Sequence, residues 1–529
     1  WDETMAESAA RWLAGGPTRR VAILAGTAHC HPTAIPARIA KRVTGTVLSV
    51  RPVIDDGEGN VASLIAAPES DFLVVMTGPP HSPNISTPLA DPYRNFARDL
   101  IAAAAADDGA WKKLEHLTYR IGHRLSGSPQ LEQAVTWATA ALAADGHENV
   151  HTEKVMVPHW VRGMERAEIV SPTPQPLTVL GLGGSVGTPA GGVTAPIVVV
   201  STFEQLDKLG EAVRGKIVLY NNPMPPYGPS GAKYGETVVF RWEGASRASQ
   251  LGAVAVLIRS VTARSLRSPH TGSTSYDEGV TPIPAAAVAT EDADILAGLA
   301  RTEVVTVRMV MGAHQLPDAE SANVIAELRG RDKPEEVVVL GAHLDSWDVG
   351  QGAHDDGAGC VAAMQALTII KKLGKTPRRT IRVVLYTNEE NGLRGGKAYA
   401  ETHAAELPHH VAAIESDMGG FAPQGFSVKG SEAAIAILSD LASLLSPIGA
   451  TRITEGHGGA DIGPLAPAGV PLLGLEVENS TYFDYHHSAA DTLDKVVPAD
   501  LAKNVAAMAI MAYVLADMPE RLSDFGPKP

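Results

Sequence analysis

At 529 residues the chain exceeds the roughly 250–300 residues at which one hydrophobic core stops growing, so more than one domain is expected. A formal net charge of −15 with no clustered Lys and Arg excludes a nucleic-acid partner, because phosphate binding needs such clusters. With 45% hydrophobic and 19% charged residues, and no uninterrupted run near the roughly 20 apolar residues a bilayer requires, the expectation is a globular protein without a membrane span.

In chain order, residues 1–80 read as a partial α/β N-terminal domain: a helix at "MAESAARWLA", a strand at "RRVAILAG" and a short strand at "GTVLSV". The chain opens at Trp1 with no basic stretch followed by an apolar run, so no signal peptide is expected in it. Residues 81–95 fall at "TGPPHSPNISTPLADP", whose density of Pro, Ser and Thr marks a linker. Helical patterns follow to about Asp145. Residues 181–310 change to short β-branched runs such as "APIVVVS" and "GKIVLYN", which indicate an inserted β-rich domain. Beyond 320, strands alternate with helices: "EVVVLGAH", "GCVAAMQALTIIKKLG", "TIRVVLYTN", "GGKAYAETHA", "HVAAIES". That alternation predicts an α/β fold with a mostly parallel sheet flanked by helices and ligands at the carboxyl ends of its strands. Cys30 and Cys360 fall in different segments and form no disulfide framework.

Those strand ends carry the chemistry. "EVVVLGAH" ends in His343, with Asp345 two residues on, and "HDDGAG" adds Asp355 and Asp356 before a helix. "TIRVVLYT" runs into Glu389 and Glu390, "HVAAIES" into Asp417, and "YFDYHHSAADT" brings His486 and His487. Singly, each has an ordinary explanation as a capping pair, a helix first turn or a polar turn. Their common address, after apolar strands of one sheet, points to a site. Imidazole and carboxylate without a thiol cluster suit zinc or a related divalent ion in an open catalytic site. Of two adjacent carboxylates, one can hold metal while the other reaches a water, the division of labour of metal-assisted hydrolysis.

The segments "GAHLDS", "DDGAG", "TNEENGL", "SDMGG" and "YHHSAADT" stand in the order of the zinc-dependent exopeptidases with co-catalytic metals, and roughly residues 93–516 resemble the carboxypeptidase Q branch of that family. "RIGHRLSGSPQLEQA" and "VPHWVRG" resemble its N-terminal lead-in, and the β-rich stretch resembles a protease-associated insert. The resemblance implies a zinc exopeptidase domain over 96–180 and 311–520, interrupted by the insert at 181–310. It implies two zinc ions per chain: His343 and Asp417 on one, Glu390 and His487 on the other, Asp355 bridging. Glu389 would be the general base and Asp345 the carboxylate orienting His343. His487 is taken over His486 from its spacing to Asp491. His486, Asp461 and Tyr485 are candidate substrate contacts, with a structural cap the alternative for Asp461, and Tyr485 and Tyr482 alike stand between wall packing and substrate contact. The implied activity is hydrolysis of dipeptides or short peptides with free termini by a secreted or periplasmic protein, with a homodimer as the prior.

Two other readings stand beside it: a metal-binding receptor-like module without catalysis, and a glutaminyl-cyclase-like acyltransferase on the same fold. The full ligand set disfavours the first and the insert disfavours the second. Residues 1–80 resemble the end of a ChaN-type haem-binding lipoprotein domain, in which His29 and His31 read as exposed loop histidines.

Overall fold

The computed structural model describes residues 2–14, 16, 23, 35–44, 46–55, 72–77, 89–228 and 231–525. The chain divides into two compact units, Trp1–Pro88 and Leu89–Pro529. In the first, helix Asp2–Leu13 buries Ala6 and Ala9 with Ile35 and Ile39 of helix Ile35–Ala40, and strands Val50–Asp55 and Phe72–Thr77 pair in parallel. The strand expected at "GTVLSV" starts only at its last residue, Val50. Apart from Ile23, the strand expected at "RRVAILAG" lies outside the described residues, as do His29, Cys30 and His31.

The second unit contains two eight-stranded sheets. The larger has the strand order Arg452–Glu455, Pro423–Lys429, Leu472–Val477, His410–Glu415, Lys333–His343, Arg379–Tyr386, His314–Leu328, Glu148–Val161. Its four central strands, Leu472–Val477 through Arg379–Tyr386, are parallel, with antiparallel neighbours on both sides. Parallel strands covered on both faces read as unbroken apolar runs, and every residue from Glu336 to His343 is buried. Val338 and Leu340 face a core shared with helices Ala358–Lys372 and Pro498–Asp517, while Val337 and Val339 pack on the other face with Tyr399 of helix Arg394–Thr402. By length and composition Pro498–Asp517 could cross a bilayer, but 78% of its apolar window is buried inside the protein, as in a core helix.

The smaller sheet has the order Gln175–Leu177, Glu165–Ser171, Thr306–Met311, Val193–Val200, Ile217–Tyr220, Ala255–Arg259, Ala285–Val288, Val179–Gly181. It reaches beyond the 181–310 range expected for the insert, because Thr306–Met311 pairs antiparallel with Glu165–Ser171 on one side and Val193–Val200 on the other. Residues 165–181 therefore belong to this second sheet.

The C-terminal segment is tied to the large sheet by charge. Arg379, fully buried, bonds Glu336 and the carbonyls of Met518 at 2.5 Å and Pro519 at 3.1 Å, and Arg521 reaches Glu336 at 2.7 Å. Burial alone would raise the Glu336 pKa, but the bonds from Arg521 and Arg379 outweigh it and hold the carboxyl at about 2, below its ordinary 4.5. A depressed folded-state pKa gives stability that is present above pH 4.5 and lost as pH falls toward 2. Glu336→Gln should therefore cost about 2–3 kcal/mol at pH 7. The gap should narrow as pH falls through that window, which denaturant unfolding of both proteins at pH 7 and at pH 3 would measure.

Candidate metal centre

The four parallel strands end at one edge of the sheet, and each delivers part of the site. Lys333–His343 ends in His343 itself; the turns after Arg379–Tyr386 and His410–Glu415 carry Glu389, Glu390 and Asp417; the segment after Leu472–Val477 carries His486 and His487. Asp355 lies just before helix Ala358–Lys372, which returns from this edge.

Two imidazoles converge on Asp355. His343 Nε2 lies 3.2 Å from Asp355 Oδ1 and 3.2 Å from Asp417 Oδ1. His487 Nε2 lies 3.3 Å from Asp355 Oδ2 and 3.0 Å from Glu390 Oε2. The other ring nitrogens face backbone carbonyls: His343 Nδ1 lies 3.1 Å from the Asp345 oxygen and His487 Nδ1 3.2 Å from that of Thr271. Donation of the Nδ1 hydrogens to these carbonyls leaves each Nε2 lone pair directed at carboxylates, the tautomer a metal ligand needs. His486 Nε2 is 3.7 Å from Asp355 Oδ2, and its ring stacks on His487 at 3.5 Å.

Several buried carboxylates spend their oxygens on backbone amides instead. The role expected of Asp345, orienting His343, falls to its backbone carbonyl; its carboxylate is 3.8 Å from His343 Nδ1 and instead accepts from the amides of Glu389 at 3.0 Å and Glu390 at 3.3 Å. The reason is the sharp turn after Tyr386, whose amides need an acceptor. Asp356 accepts from His343 and Gly359, Glu415 from the amides of residues 460–462, and Asp491 from His354 at 2.8 Å and Asp355 at 3.1 Å. Arg124, fully buried, donates to the carbonyls of Gly122, Leu344, Gln351 and Gly352, and so braces the connection between His343 and Asp355. In the sequence Asp491 is only a spacing mark, and nothing singles out Arg124 or Glu415. Each works across more than 40 residues of chain, where local patterns carry no signal.

A cavity of about 710 Å³ opens at this edge, lined by Asp355, Glu389, Glu390, Asp417, Tyr482, Phe483, His486 and His487 together with residues of the second sheet's layer. Of the candidate substrate contacts, His486 is on its wall. Tyr485 instead stacks against His354, with ring centroids 5.9 Å apart, and Asp461 is buried with neither carboxylate oxygen hydrogen-bonded; neither is a lining residue. Burial and neighbouring carboxylates push the Glu389 carboxyl up to about 8 and Glu390 well above its ordinary range. Burial, His486 and Arg241 push His487 well below 6.5, which keeps its imidazole neutral. A divalent cation among these groups reverses the repulsion that raises the carboxylates.

Residues 323–513 match the model of "Peptidase family M28". Over 434 residues the chain is 41% identical to carboxypeptidase Q of Mus musculus, covering 81% of this chain and 91% of that protein. The crystal structure of a Peptidase M28 precursor from Shewanella amazonensis superposes with a TM-score of 0.80 at 40% identity, covering 83% of this chain and 100% of that one. A zinc aminopeptidase from Bacillus subtilis shares the fold at a TM-score of 0.58 and 20% identity, over 79% of this chain and 97% of that one.

Because Asp491 accepts the amides of both His354 and Asp355, Asp491→Ala should loosen Asp355 and weaken divalent-metal affinity roughly 10–100-fold. Competition with a chromophoric chelator measures this. Asp491→Asn, which keeps an acceptor oxygen, should lose less.

Proposed function

Since the chain belongs to peptidase family M28 and its carboxypeptidase Q branch, and so is a zinc-dependent exopeptidase of short peptides, we propose that two zinc ions lie where the two histidines converge on Asp355. His343 and Asp417 would hold one and His487 and Glu390 the other, with Asp355 between them as the shared ligand. The observation that carries this is Asp355 itself: its two oxygens face different imidazoles, and Oδ2, buried, makes no hydrogen bond. A carboxylate oxygen left so is costly unless a cation satisfies it. His487 is preferred to His486 because it approaches both Asp355 and Glu390, whereas His486 stands at 3.7 Å from Asp355 alone.

Zinc held there would polarise the scissile carbonyl and lower the pKa of a water so that it attacks near neutral pH. Glu389, on the cavity wall beside Glu390, would take the proton of the attacking water and return it to the leaving amine. Asp345 positions this base by holding the Glu389 and Glu390 amides. The acidic groups around the cavity favour a substrate with a free α-amine. The second sheet acts as a protease-associated insert, His486 as a substrate-side neighbour of the metals, and the protein as a secreted or periplasmic homodimer.

Glu389→Gln should lose several orders of magnitude in kcat while retaining zinc, whereas Glu390→Gln should lose about one zinc per chain as well. Equal metal loss in both would exchange their roles, and full zinc occupancy without hydrolysis in the wild type would favour a receptor-like module.

Substrate ends provide a separate test. Unblocked dipeptides should be cleaved rapidly, N-acetylated ones at least about 100-fold more slowly, and a zinc chelator should abolish both, because a site built around a charged amine is left unpaired by a blocked one. Efficient internal cleavage of long blocked peptides would contradict the exopeptidase assignment.

A further inference from the structure

Between the edge of the large sheet and the second sheet's layer, Trp347 closes a circuit of contacts around one of the carboxylates. It is 2% exposed and packs in a small cluster with Leu125, Trp160 and Ala313, outside the cores of both sheets. Both of its chain neighbours are tied down. The Ser346 amide donates to the Arg124 carbonyl at 3.2 Å and its hydroxyl accepts from the Arg124 amide at 3.0 Å, while Asp348 accepts two bonds from Arg162.

Trp347 meets the site twice. Its amide donates to Glu390 Oε1 at 3.2 Å, which leaves Oε2 facing His487 Nε2, and its ring stands edge-on to the His487 imidazole with centroids 5.6 Å apart. The far edge of the indole abuts the second layer: Gly183 is buried there, and a Cβ on it would stand 2.1 Å from Trp347 Cη2. Gly183 is itself fixed, its amide donating to the Gly272 carbonyl at 3.0 Å and its carbonyl accepting from the Thr274 amide at 2.9 Å. Between those two partners lies Ser273, whose hydroxyl donates to the Glu390 carbonyl at 3.0 Å. Gly183, Trp347, Glu390 and Ser273 thus form a closed ring that spans both layers.

The indole Nε1 is buried without a hydrogen bond, a cost that a phenyl ring would avoid. What the larger ring adds is the far edge that reaches Gly183. By contrast, among the described residues the side chains of His343 and Asp417 bond only to segments of the large sheet.

We infer that Trp347 is the positioning residue of Glu390 and His487: wedged against Gly183, it makes the hold on one zinc ion, and not on the other, depend on the second sheet's layer. This rests on the two-zinc reading of the same cavity. A rigid ring in a close-packed interior cannot yield to a new methyl without moving the loop that carries it. Moving that loop displaces the amide on Glu390 and the ring edge on His487 together.

The test withdraws zinc from the loaded wild type, Gly183→Ala, Trp347→Phe and the double variant with a chromophoric chelator, which separates the two ions by affinity; Glu390→Gln identifies the ion that Glu390 holds. Gly183 has no positive φ, and the nearest atoms to its added methyl are all of Trp347, so alanine there acts through the indole. Gly183→Ala should weaken the Glu390 ion roughly 10–100-fold, as loss of a ligand's support does, and leave the other ion unchanged. Trp347→Phe should weaken it less. The double variant should bind as Trp347→Phe does, because the shorter ring leaves room for the methyl and the effect of alanine vanishes on that background. Unchanged affinities in Gly183→Ala, equal weakening of both ions, or a double variant weaker than either single one would each overturn the inference. If Gly183→Ala fails to fold, by circular dichroism, Trp347→Phe decides alone: loss confined to the Glu390 ion supports the inference, and no loss or loss of both ions refutes it. Fewer than two zinc ions on the wild type would refute the two-zinc reading itself, and this inference with it.

Discussion

Carboxylates buried side by side repel one another, and the sheet edge holds many: Asp345, Asp355, Asp356, Glu389, Glu390, Asp417, Glu415, Asp461 and Asp491. The fold tolerates them by dividing them. Asp345, Asp356, Glu415 and Asp491 each accept two or more backbone amides and so set the turns after the parallel strands. Asp355, Glu390 and Asp417 instead face imidazole nitrogens, Glu390 with its second oxygen on the Trp347 amide at 3.2 Å, and Glu389 lines the cavity. The first group spends both oxygens on backbone; the second keeps at least one for a cation or a proton. Parallel strand topology makes the division possible, because the free amides of the turns gather at the same edge as the side chains.

The second sheet's layer is part of this edge. Thr271 exchanges backbone and ring contacts with His487, its amide donating to the His487 carbonyl at 2.8 Å and its carbonyl facing Nδ1 at 3.2 Å, and His270 Nδ1 lies 2.6 Å from the His486 carbonyl. His487 sits at φ +59, a left-handed conformation that costs a histidine energy and persists only when neighbours hold it. Ser273 also donates to the Glu390 carbonyl at 3.0 Å. Elements that a domain map would separate therefore fix one ligand loop between them.

The strands and helices of the large sheet were legible because buried parallel strands leave unbroken apolar runs, and "EVVVLGAH" and "TIRVVLYT" show where such strands end. His343, Asp355, Glu389, Glu390, Asp417 and His487 are legible for the same reason, with the family resemblance ordering them, and the structure brings them into one neighbourhood. What stays hidden depends on partners far along the chain: Asp491 on the amides of residues 354–355, Arg124 on carbonyls near 344 and 352, Trp347 on Gly183. Strand membership of residues 165–181 escaped for a related reason, since pairing with Thr306–Met311 decides it and no local period shows it. Of the two tyrosines beside the histidines, Tyr482 lines the cavity and Tyr485 stacks on His354.

Anomalous diffraction at the zinc edge from crystals of the intact chain bears most directly on the division of the carboxylates. Two peaks are expected, one bounded by His343, Asp355 and Asp417 and the other by Asp355, Glu390 and His487, with none beside Asp345, Asp356, Glu415 or Asp491. A single peak, or a peak ligated by His486 or by one of the amide-bound carboxylates, would contradict it.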